Sequence, residues 1–216
     1  SEIIAIWIIT FWKSIGSPKK FNLLELGAGN GEMMKVIILT IKNFPECFDN
    51  CNFQIHEKSN FLKNEQKKNL KFDNITWVDD IKKLDSNPTI FIANEFFDAL
   101  PIKQFFKKNG EWVERFVDLK KIDKPKFEDR LIDIKKIEKE LNFEISKDQE
   151  IIEYSPSSFE YLKDICSLIN NNNGGLLIID YGYLNSKMHE TLQAINKHKY
   201  SNVLEDIGHS DITYNI

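Results

Sequence analysis

The chain has few cysteines, only two arginines and no long hydrophobic run. Its three cysteines, an odd number at irregular spacing, predict no disulfide framework and a reducing, intracellular compartment. The longest apolar run, residues 3–12, is interrupted by Thr10 and falls well short of the roughly twenty residues that span a membrane. We therefore expect a core helix at this place and no membrane span.

A basic excess is also absent. Lys and Arg number 29 against 33 Asp and Glu, for a net charge of -4 and a pI near 5.7. Because phosphate backbones are bound by surplus positive charge, a primary nucleic-acid binder is excluded. With 42% hydrophobic and 29% charged residues, we expect residues 1–216 to form a single globular domain.

The N-terminus carries no basic segment and no early arginine, which predicts no targeting segment in this chain. The chain opens on Ser1 inside a predicted helix. We therefore expect it to be a fragment. The location expected is cytoplasmic for a bacterial protein and the mitochondrial matrix for a eukaryotic one.

Hydrophobic period and punctuation alternate strand and helix along the chain. Five short apolar runs predict the strands of a parallel sheet in an α/β fold: residues 21–26, 52–56, 75–78, 89–93 and 176–179. Asn109-Gly110 between two runs of β-forming residues predicts an antiparallel hairpin. We place this hairpin and a helical segment in an insertion at about residues 102–150, and a further helix beyond Thr191.

A glycine motif, Glu25-Leu26-Gly27-Ala28-Gly29-Asn30-Gly31, follows the first predicted strand and opens a helix. Glycines there allow a tight turn and a close approach of a ligand to the backbone. With its leading acid, the motif resembles the first motif of class I S-adenosylmethionine-dependent methyltransferases. The resemblance implies that Glu25, Gly27, Gly29 and Gly31 bind the cofactor, and that Glu57 accepts hydrogen bonds from its ribose hydroxyls.

A second motif, Asn94-Glu95-Phe96-Phe97-Asp98-Ala99-Leu100-Pro101, follows the fourth predicted strand. Further strings recur in the same order: Trp112-Val113-Glu114-Arg115, Ile152-Glu153-Tyr154-Ser155-Pro156, Ile179-Asp180-Tyr181-Gly182 and Thr191-Leu192-Gln193-Ala194. Together they resemble the MidA-like methyltransferase family, which includes a mitochondrial complex I assembly factor that is a protein arginine methyltransferase. The family has further segments at both ends, and its sheet has seven strands.

This resemblance implies a class I methyltransferase (Rossmann-like) sheet with strand order 3-2-1-4-5, S-adenosylmethionine as cofactor and an arginine-bearing protein substrate, such as a complex I subunit. A guanidinium is held best by carboxylates. We therefore predict that Glu95 and Asp98, with Glu153 as a more distant third, orient it, and that Asn94 fixes substrate or cofactor through its amide. The fifth strand would form an open edge through which the chain self-associates.

The remaining candidates have competing interpretations. Asp79 and Asp80 stand where class I enzymes bind the adenine amino group, but either could equally be a helix N-cap. Cys47, Cys51 and His56 do not match a zinc pattern, so we expect no metal.

Two alternative functions remain open. A nicotinamide-dependent oxidoreductase would need the G-x-G-x-x-G spacing, which the glycine motif lacks. A truncated, non-catalytic relic or assembly protein would keep the fold without turnover.

Overall fold

The computed structural model describes residues 1–120, 124–184, 188–205 and 207–216. Within them the chain divides into two compact units. The first comprises Ser1–Phe97 and Glu160–Asp180, and the second Asp98–Phe159 and Tyr181–Ile216. None of the described helices is long and apolar enough to cross a membrane.

The elements up to the end of the fourth strand are α1 (Glu2–Ser14), β1 (Phe21–Leu26), α2 (Glu32–Ile41), α3 (Pro45–Phe48), β2 (Cys51–His56), α4 (Asn60–Asn69), β3 (Ile75–Val78), a short 3-10 helix (Ile81–Lys83) and β4 (Thr89–Asn94). The later ones are β5 (Lys103–Lys108), β6 (Glu111–Asp118), β7 (Lys126–Leu131), α5 (Ile134–Leu141), β8 (Ile151–Tyr154), α6 (Pro156–Asn172), β9 (Gly174–Ile179), β10 (Gln193–Asn196), β11 (Lys199–Ser201) and β12 (Asp211–Thr213).

The first unit is built on a parallel sheet with strand order β3-β2-β1-β4-β9. Since β9 is the fifth strand expected from the sequence, the predicted order 3-2-1-4-5 is confirmed. All six residues of β1 are buried, as a central parallel strand requires, which explains why its sequence is a continuous apolar run rather than an alternating one.

Helices α1 and α2 cover this sheet through apolar stripes. Both bury residues at the i, i+3, i+4, i+7 spacing of one helix face. Each fully buried aliphatic side chain contributes about 1.5–3 kcal/mol of burial free energy, so these stripes hold the helices in place. The buried residues are Ala5, Ile8, Ile9 and Trp12 in α1, and Met34, Ile37, Ile38 and Ile41 in α2.

The strand register brings three chain segments to one edge of the sheet. Leu26 at the end of β1 pairs with His56 of β2 on one side and with Ala93 of β4 on the other. Parallel strands end at the same edge, which is where open α/β folds place their ligands. The residues that come next along the three segments are Gly27, Glu57 and Asn94.

The second unit contains a four-stranded antiparallel sheet, order β7-β6-β5-β8, and a three-stranded sheet, order β11-β10-β12. The predicted hairpin is confirmed: β5 and β6 pair antiparallel, and Asn109 and Gly110 between them have φ of +52° and +85°. Such positive φ values are typical of the two-residue turn that joins twisted strands. Residues 102–150, which we expect to be an insertion, belong to this unit, and residues 121–123 among them lie outside the described part of the chain.

The helix predicted beyond Thr191 is wrong, because this segment forms the hairpin β10–β11. Lys197 and His198 have φ of +49° and +63°, so the chain reverses at a point where the sequence offers no Asn-Gly signal. Strand β7 was not predicted either. It is mostly charged and exposed, and backbone pairing with β6 holds it in the sheet. Its sequence therefore shows no hydrophobic period that would predict a strand.

Candidate active site

The turn between β1 and α2 contains three glycines whose backbone lies in the left-handed region. Gly27, Gly29 and Gly31 have φ of +64°, +53° and +88°, values that other residues adopt at a cost. The N–H of Gly27 donates to the His56 carbonyl at 2.9 Å, which fastens the turn to β2. The tight turn expected from the glycine motif is therefore present.

The three glycines differ in their surroundings. A Cβ on Gly27 would lie 2.7 Å from Cδ2 of Phe96, and one on Gly31 would lie 2.9 Å from Cδ1 of Leu70. A side chain at either position would therefore require its neighbour to shift. A Cβ on Gly29 would meet no described atom within 4 Å. The backbone at Gly29 thus faces open space beside the first turn of a ten-residue helix, a setting that suits close approach of a ligand.

Glu25 is a buried acid on β1, only 3% exposed. Its Oε2 atom is buried and has no hydrogen-bond partner among the described residues. Burial raises the pKa of Glu25 to about 8, because a low-dielectric site disfavours the charged form. A buried carboxyl oxygen of this kind is costly unless a donor pairs with it. An ammonium group of a ligand would supply that donor. Glu25 therefore fits a cofactor that carries an amino-acid moiety.

Glu57 directly follows β2 and is also buried. Its Oε1 accepts the Ser59 N–H at 2.8 Å, and its Oε2 accepts the Gln66 amide at 3.2 Å. A carboxylate offers about four lone-pair positions, so two are taken. The other two could accept the hydroxyl donors of a ribose, and this role, which the resemblance implies for Glu57, stays a prediction.

Asp79 and Asp80 follow β3 and have different environments. Asp79 forms an ion pair with Lys63 at 2.5 Å, and that lysine lowers the pKa of Asp79. Asp80 accepts the Lys82 N–H at 3.0 Å and caps the short 3-10 helix, which is the structural role weighed for it. Both border a cavity of about 160 Å³ that Lys58 and Tyr161 also line.

Strand β4 ends at Asn94, which is half-buried, and the loop after it begins with Glu95, which is exposed. Glu95 has φ of +48°, a strained conformation for a residue with a side chain, and such strain is concentrated at functional sites. Its N–H donates to the Ile179 carbonyl at 2.9 Å. The next N–H but one, that of Phe97, donates to Asp180 Oδ2 at 3.1 Å. Two bonds to the end of β9 therefore fix the turn that presents Glu95.

The other two predicted catalytic acids belong to the second unit. Asp98 is buried, and its carbonyl accepts the Tyr214 N–H at 3.2 Å. Glu153 on β8 accepts the Gln104 amide at 2.6 Å and the N–H and hydroxyl of Thr191 at 2.9 and 2.7 Å. These three bonds give Glu153 a structural part in its own unit, and its catalytic role stays a prediction.

Sequence reasoning missed Gln66 and Tyr161. Gln66 is fully buried in a helix of lysines and asparagines, where no pattern marks it out. Tyr161 donates to or accepts from Nε2 of His56 at 2.8 Å, and burial lowers the pKa of that histidine. Among the described residues, no group of three or more His, Cys, Asp or Glu is arranged to hold a metal ion.

A parallel sheet of this strand order, with a glycine turn after β1 and an acid after β2, is shared by dinucleotide-binding proteins and by the class of S-adenosylmethionine-dependent methyltransferases. The chain belongs to one family of that class: residues 3–216 match the family described as "Putative S-adenosyl-L-methionine-dependent methyltransferase". The nicotinamide alternative has no support from this match.

Curated relatives include the mitochondrial protein arginine methyltransferase NDUFAF7 of Xenopus laevis, 27% identical, and of Homo sapiens, 25% identical. All of this chain and 54% of each relative are covered. The chain thus spans about half the length of the curated relatives it matches. In fold, it is similar to a Burkholderia thailandensis protein crystallised with S-adenosyl-homocysteine, with a TM-score of 0.78, 18% identity, and coverage of 100% of this chain and 58% of that one.

Proposed function

We propose that this chain is the cofactor-binding part of a protein arginine N-methyltransferase. The single observation that supports the cofactor half best is the pair of buried acids at one sheet edge. Glu25 has an unpaired oxygen, and Glu57 has free acceptor capacity. Glu25 would accept hydrogen bonds from the ammonium group of S-adenosylmethionine, and Glu57 would accept them from the ribose hydroxyls. Asp79 or Asp80 would bind the adenine amino group. The backbone of the glycine turn (Gly27, Gly29, Gly31) would lie against the cofactor.

Bound S-adenosylmethionine supplies a methyl group on a sulfonium. The protein's part is then to orient the accepting nitrogen and to exclude water. A guanidinium remains charged at any ordinary pH and is gripped by carboxylates through paired N–H···O bonds. We assign this role to Glu95 and Asp98, with Asn94 as an amide partner and Glu153 as a further candidate.

The names of the relatives supply the substrate class, since they are arginine methyltransferases of mitochondria. By this likeness we infer an arginine-bearing protein substrate, a complex I subunit being the leading candidate, and a mitochondrial location if the source is eukaryotic. A bacterial source would place the protein in the cytoplasm.

The test is transfer of labelled methyl from S-adenosylmethionine to proteins of a cell extract, followed by acid hydrolysis of the products. We expect label in methylarginine. Binding of S-adenosylhomocysteine is measured on the same preparation. Label in another amino acid would overturn the substrate assignment, and binding without any transfer would favour the assembly-protein alternative.

A further inference from the structure

Gln66 on α4 joins three parts of the candidate cofactor site. Its Nε2 donates to the Gly29 carbonyl at 2.8 Å and to Glu57 Oε2 at 3.2 Å. Its Oε1 accepts the Trp77 indole N–H at 2.8 Å. Gln66 therefore contacts the glycine turn, the acid after β2, and the strand β3.

The orientation of this amide is chemically determined. An indole N–H can only donate, so the Gln66 oxygen must face Trp77. Both amide hydrogens are then directed away from Trp77, and both are used, one by a carbonyl and one by a carboxylate. Because Gln66 is fully buried, exchange of these partners for water is excluded. The amide thus holds the turn and the acid in one fixed arrangement.

The backbone bond from the Gly27 N–H to the His56 carbonyl also joins the glycine turn to β2, but it does not reach the side chain of Glu57. The Ser59 N–H restrains the other oxygen of Glu57, and the Asn69 amide donates to the Asn30 carbonyl at 3.0 Å. Among the described residues, Gln66 is the one side chain that hydrogen-bonds both to Glu57 and to the glycine turn. A hydrogen bond to an ionised carboxylate is about twice as strong as one between neutral groups.

We infer that Gln66 is a positioning residue for the cofactor: it orients the Glu57 side chain for the ribose hydroxyls while it fixes the backbone of Gly29. This inference rests on the proposed function, because it acts through the ribose contact assigned to Glu57. Gln66 would act behind Glu57 and the glycine turn, without contacting the ligand itself.

The test is calorimetric titration of the 216-residue chain with S-adenosylhomocysteine. Gln66→Met keeps the length of the side chain and removes the amide, and we expect affinity about tenfold weaker. Asn69→Leu is the matched control, since it removes a bond from the same helix to the same turn without touching Glu57. It should change affinity less than about threefold.

A double-mutant cycle separates positioning from a general structural effect. In the Glu57→Gln background, Gln66→Met should weaken binding less than about threefold, because the bond to the acid is already gone and only the bond to the Gly29 carbonyl remains to be lost. Equal losses in both backgrounds, or wild-type affinity of Gln66→Met, would overturn the inference and leave the proposed function intact.

If Gln66→Met does not fold, Trp77→Phe tests the same positioning role, because it removes the indole N–H that holds the Gln66 amide oxygen. Binding weakened severalfold supports the inference, and unchanged binding overturns it. Failure of the wild-type chain to bind S-adenosylhomocysteine would instead remove the proposed cofactor site, and this inference with it.

Discussion

At the scale of single residues, Glu25 makes the stability of the free protein depend on pH. Burial raises the pKa of Glu25 from 4.5 to about 8, so the folded state keeps a proton that the unfolded state loses. The contribution of the protonated Glu25 carboxyl to the free energy of unfolding is fully present below pH 4.5 and is lost as pH rises through about 8. We expect the wild-type melting temperature to fall more between pH 5 and 8.5 than that of Glu25→Gln. Parallel profiles of the two proteins would contradict this.

The same carboxyl predicts proton release on binding. If the ammonium group of the cofactor pairs with Glu25, binding requires the ionised form, so at pH 6.5 close to one proton should leave per ligand bound. Calorimetry of S-adenosylhomocysteine in buffers of different ionisation enthalpy measures this number. Glu25→Gln should release none and bind more weakly. Equal proton release by both proteins would remove Glu25 from the ammonium site.

The glycines allow a matched comparison between packing and binding. Gly29→Ala and Gly16→Ala both place a methyl group in open space at a positive φ, so each should lower the free energy of unfolding by about 1 kcal/mol. Only Gly29→Ala should also weaken the binding of S-adenosylhomocysteine, by about tenfold or more. Gly27→Ala, whose Cβ meets Phe96 at 2.7 Å, should destabilise the fold further. Equal binding by the Gly16 and Gly29 variants would place the ligand elsewhere.

At the scale of elements, the sequence predicts buried structure better than exposed structure. The strand β1 and the hairpin turn at Asn109-Gly110 lie where continuous apolar character and turn chemistry put them. The charged strand β7 escapes prediction because its partner, not its own pattern, makes it a strand. For the candidate site, the sequence marks Glu57 as the residue directly after a predicted strand, whereas the contacts of Gln66 depend on a fold that brings β2, β3 and the glycine turn together.

The edge strand β9 leads to a prediction about association. Among the described residues, β9 pairs only with β4, and Ile178 is 37% exposed. Unpaired apolar edges recruit other strands, so we expect self-association at micromolar concentration. Ile178→Lys should reduce it. Val117→Lys, an exposed position on the doubly paired strand β6, should not. Sedimentation velocity measures both, and a monomeric wild-type chain would contradict the prediction.

At the scale of the whole molecule, we expect cofactor binding and methyl transfer to be separable by mutation. Glu95 has left-handed backbone at the sheet edge and is assigned to the substrate, whereas Glu25 and Glu57 are assigned to the cofactor. Glu95→Gln keeps the shape of the side chain and removes its charge. S-adenosylhomocysteine affinity should therefore stay within about twofold of wild type, while transfer to arginine falls about a hundredfold, because a guanidinium left ungripped is misaligned in the transition state.

The matched variants for this experiment are Asp98→Asn and Glu153→Gln, assayed by the same methyl transfer. Asp98→Asn should also lose transfer with binding retained. Glu153→Gln keeps one acceptor oxygen, which can serve Gln104 or Thr191 but not both. A loss of transfer would therefore assign Glu153 to catalysis only where the melting temperature is unchanged. If Glu95→Gln transfers methyl groups as fast as wild type, the guanidinium is held by other residues. In that case Asp98 and Glu153 would carry the role between them, and the double variant should be inactive.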